Sequence, residues 1–151
     1  MSHASGSLLN IEFSIEKYLW DNIAAPENEL LIKQGDIATR LTELESVGHA
    51  VLWKLMGGSA GNKGELTLHV GATYFGDTGG IQRLTLVDKI KCLLDISASI
   101  EVFDYPAGVP TDKVNELTLV GPVRYWPEFI EANNFVTQLV AQKLKYAQLR
   151  A

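Results

Sequence analysis

The stretch most suggestive of catalysis is residues 76–80, Gly-Asp-Thr-Gly-Gly, one hydroxyl side chain away from the Gly-Asp-Ser-Gly-Gly loop of many serine proteases. The hydroxyl in such a loop becomes a nucleophile only when a histidine base and a buried aspartate reach it. The histidines outside the N-terminal arm, His49 and His69, are predicted on paired strands, and the loop leads into a helix rather than a barrel strand. We therefore interpret the glycines as a turn, with Asp77 or Thr78 as the N-cap of the following helix.

The two histidines could instead face each other across paired strands and bind a metal ion. A protein metal site needs at least one more ligand. Glu65 or Asp77 is conceivable, but no spacing requires either of them. The pattern favours His49 and His69 as strand residues on a polar or partly buried face, and we predict no metal.

Two further features match reactive sites only in part. Cys92 lies beside Leu93 and Leu94 in a helical pattern, which predicts a cysteine packed in the core. The segment 57–65, GGSAGNKGE, lacks the Gly-Lys-Ser/Thr ending of a phosphate-binding loop and precedes a strand instead of a helix. We predict no catalytic residue, no cofactor and a protein that is not an enzyme.

Length and charge restrict the class of protein. The 151 residues are 46% hydrophobic and 21% charged, which is typical of one globular domain. A net charge of -5 has the wrong sign for gripping phosphate backbones, and no stretch reaches the roughly 18 apolar residues that span a bilayer. We predict a cytosolic origin, a flexible arm over residues 1–10, a single domain over 11–151 and no membrane partner.

The first half of the chain alternates between two periods. Residues 11–24 have helical spacing, with Asn10 as a plausible N-cap. Residues 47–56 and 65–75 alternate apolar and small or polar side chains, which predicts two strands. Four glycines in the eight residues between them indicate a loop, so the strands form an antiparallel hairpin.

The second half predicts a helix over residues 81–95 and strands over 99–105 and 114–126, with Gly121-Pro122 marking a bulge or an edge. From Pro127 an apolar stripe predicts a last helix. The fold class is therefore α+β: a single mainly antiparallel sheet with helices packed on one face, plus a C-terminal helix.

Several features suggest that the chain assembles with other subunits. The C-terminal stripe follows an otherwise complete sheet, and it either completes the core or meets a neighbouring subunit. The loops at the hairpin tip and before the second helix are the other candidates. The interface candidates are Gly58, Lys63, Asp77, Thr78, Leu139 and Leu144.

The order of elements over residues 11–126 resembles the tail terminator and related neck (minor structural) proteins of long-tailed bacteriophages. The resemblance rests on the N-terminal helix, the strand that ends in an aromatic-Gly-Asp loop, the LVDKIKCLLD helix, and the SIEVFDY and ELTLVGPVRYW strands. The C-terminal helix departs from the family pattern, so a head-completion protein, another neck protein or the cap of a contractile tail stays open.

The resemblance implies a non-enzymatic virion protein assembled in the host cytoplasm. Such a protein forms a homo-oligomeric ring, usually a hexamer, on the last ring of the tail tube. It stops tube growth and makes the joining surface for the head. Its partners would be the tail tube protein and a head-completion or connector protein, with DNA passing only transiently through the lumen.

Two other classes of function stay open. One is a small-ligand-binding α+β module of a soluble cytosolic protein, using the sheet face around Trp53 and Tyr74. The other is a small enzyme of unrecognised type, for which His49, His69 and Asp77 would be the first residues to mutate.

Overall fold

The computed structural model describes residues 7–24, 31–57, 64–76 and 80–146. In chain order the elements are helix α1 (Leu8–Leu19) with a wider π-type turn (Trp20–Ala24), strand β1 (Leu31–Gln34), helix α2 (Leu41–Val47), strands β2 (His49–Gly57) and β3 (Glu65–Phe75), helix α3 (Gly80–Ile96), and strands β4 (Ser99–Phe103), β5 (Lys113–Ala132) and β6 (Phe135–Tyr146).

The strands pair side by side in the order β1-β2-β3-β6-β5-β4. The pairing of β1 with β2 is parallel and the other pairings are antiparallel, so the sheet is mixed. The hairpin predicted from the two alternating segments is confirmed, with His49 opposite Tyr74 and Gly57 opposite Leu66. The α+β class predicted from the sequence is likewise confirmed.

The predicted C-terminal helix is wrong. Strand β5 continues to Ala132, and β6 lies in the middle of the sheet between β3 and β5. Asn133 and Asn134 join the two strands with φ angles of 51° and 66°, the backbone of a type I′ hairpin turn. The apolar residues of β6 recur every four positions, a spacing that fits one face of a strand as well as it fits a helix.

The main core lies between α1, α3 and one face of the sheet. It contains Ile11, Ile15 and Leu19 from α1, Val87 and Ile90 from α3, and Trp53, Val70, Val140 and Leu144 from the strands. Leu144 is only 1% exposed. The prediction of Leu144 as an interface residue is therefore wrong, because the even-numbered side chains of β6 point into this core.

A second, smaller core lies on the opposite face of the sheet, which corrects the prediction that the helices pack on one face alone. There α2 and the loop before it bring Ile37 and Leu44 against Leu52 and Phe135. Helix α2 ends at Gly48, whose φ of 81° is the left-handed conformation that glycine adopts readily.

Helix α1 begins at Leu8, three residues before the predicted start, with Ser7 instead of Asn10 as its N-cap. Asn10 and Ser14 lie one turn apart on α1, and both side chains are buried. They accept hydrogen bonds from the backbone at the end of β4: the Phe103 N–H donates to Ser14 Oγ at 2.9 Å, and the Tyr105 N–H donates to Asn10 Oδ1 at 3.0 Å. Elsewhere on α1, Glu12 Oε1 accepts a 2.8 Å hydrogen bond from Gln34 Nε2 of β1. The helix thus contacts both edge strands of a curled sheet.

Strand β5 is irregular where the sequence predicts it. The register shifts between Val120 and Arg124, around Gly121 and Pro122, which confirms a bulge there. Gly121 has a φ of 74°. A second shift lies between Tyr125 and Phe129, around the proline that was predicted to begin a helix.

Candidate functional site

The face of the sheet opposite α1 and α3 is covered only in part by α2, and we call its uncovered part the open face. Side chains alternate along a strand, so residues that pair in register share a face. The open face carries Lys54 and Met56 of β2, Thr67 and His69 of β3, Leu139, Lys143 and Lys145 of β6, and Val120, Arg124 and Ile130 of β5.

A groove of about 450 Å³ lies on this face, between the loop after β1 and the far end of β5. Leu52, Met56 and Leu139 form much of its apolar lining. Gly71 lies next to the groove, in register with Leu52 and Leu139 of its lining. A Cβ atom there would come 2.6 Å from Thr137 Cγ2, so only glycine lets the β6 side chains lie so close over β3.

Basic side chains run in a row across the open face beside the groove. Lys54 pairs in register with His69, His69 with Ala141, and Ala141 with Arg124. Lys143 and Lys145 follow on β6, about 7 Å apart, since alternate residues of a strand are separated by two rises. This concentration of positive charge stands out because the chain as a whole carries a net charge of -5.

Among the described residues, ion pairing involves Lys54 but none of the other three cations. Lys54 Nζ contacts Asp36 Oδ2 at 3.0 Å. Within the described part of the chain, Arg124, Lys143 and Lys145 have no ion-pair partner, although Glu65 stands opposite Lys145 in the register. The open face is therefore positively charged around Arg124, Lys143 and Lys145 at neutral pH, whereas Glu101 and Glu116 lie on the same face at its β4 edge.

Two titratable groups at the groove are shifted. The Thr39 backbone N–H, which donates to Asp36 Oδ1 at 2.9 Å, and then the Lys54 ammonium lower the pKa of Asp36 to about 2. Partial burial, and then the nearby Lys54 charge, lower the pKa of His69 below its ordinary value. His69 is therefore neutral at pH 7, and its ring centroid lies 6.0 Å from that of Trp126.

A second exposed surface lies on the outer side of α3. Ile81 is 85% exposed and Ile96 is 81% exposed, whereas Arg83 is buried and its Nε donates to Gln138 Oε1 at 3.3 Å. Helical spacing in the sequence predicts an apolar stripe through Ile81, Leu84, Val87 and Ile90, and this prediction is wrong for the first turn, where Ile81 and Leu84 face outward. Asp88, Cys92 and Asp95 continue the outer side. We call Ile81, Asp88, Cys92, Asp95 and Ile96 the α3 outer stripe.

Cys92 corrects another prediction, because it is exposed instead of packed in the core. Two leucines follow it directly, yet at 100° per residue only Leu94 turns fully inward. The apolar residues next to Cys92 in the sequence therefore did not predict its burial. Its position in the helical period, counted from the buried Leu86 and Ile90, would have predicted an exposed side chain.

Most of the predicted interface residues cannot be compared with the structure, and Leu139 lies at the groove. Gly58, Lys63, Asp77 and Thr78 lie outside the described residues. Leu139 is half-buried and lines the groove. Sequence reasoning missed Lys143 and Lys145 because it assigned residues after 126 to a helix; the alternation of Lys143, Leu144, Lys145 and Tyr146 was the signal that could have found them. Arg124 lies in a predicted strand, but only the register of that strand with β6 places it near the two lysines.

The two histidines do not meet. His49 is opposite Tyr74 and stacks on its ring at a centroid distance of 5.3 Å, whereas His69 is opposite Lys54 further along the hairpin. Within the described ranges, no three His, Cys, Asp or Glu side chains lie close enough to hold a metal ion. Nothing in the described chain therefore assembles the metal site considered from the sequence.

The predicted ligand face around Trp53 is also absent. Trp53 is 1% exposed in the main core, where its Nε1–H donates to Glu16 Oε1 at 3.3 Å. Tyr74 points to the same side of the sheet, so a ligand on the uncovered side would meet the open face and its groove instead.

Among the described helices, none is long and apolar enough to cross a membrane.

Comparison with known proteins identifies a related fold. No protein-family model matches the sequence, and no curated protein matches it. Ten solved chains match it. One of them superposes with a TM-score of 0.61 at 12% sequence identity, covering 96% of this chain and 99% of the solved chain. At that identity the likeness shows a shared fold alone.

Proposed function

We propose that this chain is a non-enzymatic structural protein of a phage tail or neck, which forms a ring that caps the tail tube and joins it to the head. The observation that carries the proposal is the position of its exposed large apolar side chains. Ile81 and Ile96 are exposed on the helix layer, and Met56 and Ile130 on the opposite face of the sheet. A subunit with apolar surface on two opposite sides is suited to contact one neighbour on each side, as in a ring.

The order of elements also supports the proposal. The described chain runs from an N-terminal helix through a hairpin, a long helix and further strands, as the resemblance to tail terminators requires. The segment that departed from the family pattern as a helix is the central strand β6. That departure therefore no longer weighs against the resemblance.

The proposed partners are further copies of this chain, the tail tube protein and a head-completion or connector protein. DNA would pass the lumen without staying bound. The net charge of -5 supports transient passage, because an acidic ring repels phosphates. The virion would be the site of action.

A capping assay tests the proposal. Purified protein is mixed with polymerising tail tube protein from the same phage, and the tubes are imaged by negative stain. We expect rings at tube ends and a narrower distribution of tube lengths. Lys63→Glu, at the predicted contact loop, should weaken capping, and Lys17→Gln on α1 serves as a matched control. Tubes of unchanged length without terminal rings would refute the proposal.

The groove favours a second candidate function, the binding of a small ligand. Its volume of about 450 Å³ suits a small molecule, with apolar atoms against Leu52 and Leu139 and a polar group near His69. A thermal-shift screen with small aromatic and aliphatic carboxylates tests it. A ligand that raises the melting temperature of wild type but not that of Leu139→Trp would support this candidate. The absence of any shift in wild type would count against it.

A further inference from the structure

The open face combines unpaired positive charge with exposed apolar side chains. Arg124, Lys143 and Lys145 are exposed and have no ion-pair partner among the described residues. Val120 stands directly opposite Lys143, and Met56 lies two strands away on the other side of Lys143, beyond Thr67 in the same row. A cationic patch with apolar flanks fits a partner surface that is acidic and apolar in the same arrangement.

The α3 outer stripe has that composition. Counted at 100° per residue, Ile81, Asp88, Cys92, Asp95 and Ile96 cluster on the side of α3 opposite the buried residues Leu86, Ile90 and Leu94. Two cations flank the stripe: Lys89 is exposed, with its Nζ donating to Ile23 O at 3.1 Å, and Lys91 is half-buried. Two carboxylates therefore lie between two exposed isoleucines.

The two surfaces also match in length. Fifteen helical rises separate Ile81 from Ile96, about 22 Å. Six strand rises separate Leu139 from Lys145, about 20 Å. With Ile81 placed over Leu139, a helix laid along β6 would bring Asp88 and Asp95 within reach of Lys143 and Lys145.

From this complementarity we infer that the α3 outer stripe of one copy docks on the open face of the next copy. The two surfaces lie on opposite sides of the sheet, so the contact joins different patches and is heterologous. Repeated heterologous contacts give a closed ring or an open filament. The inference deepens the proposed function, on which it rests, by naming the surfaces that would join neighbouring subunits.

A polyanion such as DNA is the main competitor for the open face. Asp36 and Glu65 interrupt the cationic row, and the chain as a whole is acidic. Both features oppose DNA binding, whereas a second copy brings only the two local carboxylates of Asp88 and Asp95, without a long-range field of the same strength. The observations therefore favour the second copy.

A charge-swap experiment tests the contact. In low salt, sedimentation velocity compares wild type with Lys143→Glu/Lys145→Glu and with Asp88→Lys/Asp95→Lys. Each double variant should weaken association at least about tenfold, because like charges would meet. Combining all four substitutions should restore it. The control Lys17→Gln, on α1, should associate like wild type.

Cross-linking tests the same contact geometrically. Cys92 is the single cysteine of the chain, so Thr67→Cys places a second thiol on the open face. Mild oxidation should then give a ladder of covalent oligomers. Ala107→Cys, in an exposed turn, should give only the dimers that Cys92 forms by itself. Circular dichroism of each variant separates a lost contact from a lost fold.

The outcomes separate this inference from the proposed function. Rescue by the combined swap and a Thr67→Cys ladder support the docking of α3 on the open face. Rings that form regardless of the charge changes overturn the inference and leave the proposed function standing. A wild type that neither associates nor cross-links in low salt overturns it too, and the capping assay then decides the proposed function. Binding of DNA, abolished by Lys143→Glu, would replace the second copy with a polyanion.

Discussion

Gly71 lies next to the groove and allows two of its lining side chains, Thr137 and Leu139, to pack closely over β3. It lies in the middle of β3, opposite Leu139 of β6 and Leu52 of β2. An added Cβ would lie 2.6 Å from Thr137 Cγ2 and 3.3 Å from Leu139 Cδ2, so the β6 side chains would have to move. Glycine is needed at this position because β6 side chains pack closely over the strand. It is not needed for an unusual backbone conformation.

We therefore predict that Gly71→Ala lowers the free energy of unfolding by about 1–3 kcal/mol, the usual cost of overpacking. Gly57→Ala on β2 is the matched strand control, since a Cβ there meets no described atom within 4 Å. Urea unfolding of both variants checks the prediction. Equal stability of the two variants would contradict the close packing over Gly71.

Asp36 gives the groove rim a pH dependence. The Thr39 N–H and the Lys54 ammonium lower its pKa to about 2 in the folded protein, from 3.8 in the absence of structure. A group with a lowered folded pKa stabilises the protein above its unfolded pKa, and this contribution is lost as pH falls through the folded pKa. The contribution is thus complete above about pH 5 and lost towards pH 2.

Asp36→Asn should therefore be less stable than wild type at pH 7, and the difference should shrink between pH 5 and pH 2. Asparagine keeps an oxygen for the Thr39 N–H, so the variant removes the charge with little change of shape. Urea midpoints at several pH values measure the effect. A difference that does not depend on pH would show that the Asp36 charge contributes nothing.

Single residues were predictable from the sequence only where their element was correct. Gly121 and Pro122 gave the bulge in β5, because proline lacks the N–H that a strand ladder needs. Cys92 and Leu144 were placed wrongly. The error for Leu144 followed from the helix assigned to its segment, and the error for Cys92 from judging its burial by its sequence neighbours.

Helix α1 shows how one element can protect an exposed sheet edge. The Phe103 N–H of edge strand β4 donates to Ser14 Oγ, and Ser14 is 1% exposed. Edge N–H groups are otherwise available for pairing with another chain. The buried hydroxyl thus fixes α1 to the edge and blocks one site of strand addition.

Ser14→Ala should lower the free energy of unfolding by about 1–3 kcal/mol, because it leaves a buried N–H without an acceptor. The exposed Ser46→Ala on α2 is the control and should be neutral. Hydrogen exchange of the Phe103 amide provides a local readout and should accelerate in Ser14→Ala. An unchanged exchange rate would contradict the docking role of Ser14.

The β5–β6 turn determines the register of the two longest paired strands. Asn133 and Asn134 both have positive φ angles. The Gly76 N–H also donates to Asn134 O at 2.6 Å, which ties the turn to the end of β3. Asparagine tolerates the left-handed conformation better than most residues, and glycine better still.

Asn134→Ala should cost about 1 kcal/mol of stability, because alanine has no compensation for its left-handed backbone. Asn134→Gly should be at least as stable as wild type, since Asn-Gly is a preferred type I′ sequence. Thermal unfolding of the pair checks this. Equal destabilisation by both substitutions would indicate that the asparagine side chain, rather than the backbone conformation, stabilises the turn.

The elements that were predicted correctly are those with one unambiguous period, such as the hairpin of β2 and β3 and helix α3. Strand β6 was missed because its apolar spacing fits two periods. The Asn133-Asn134 turn signal just before β6 is the local feature that favours a strand over a helix there. Strand β1 has only four residues and pairs in parallel with β2, so its position depends on tertiary contacts that periodicity does not report.

At the scale of the whole molecule, the two exposed surfaces lie on opposite sides of one sheet. Around β6 the open face is cationic and apolar, whereas the α3 outer stripe has two carboxylates and two exposed isoleucines, with Lys89 and Lys91 at its sides. This separation of opposite charges favours head-to-tail contacts between copies over symmetric ones. Composition alone gave the net charge, and only the strand register revealed this separation.

The most direct test of the account is the solution mass of the full chain, measured by light scattering across a concentration series in low salt, with negative-stain images of the large species. The account predicts closed rings of about six subunits that dissociate as salt is raised, because the docking surfaces are oppositely charged. A monomer or a symmetric dimer that persists at millimolar concentration in low salt would contradict it.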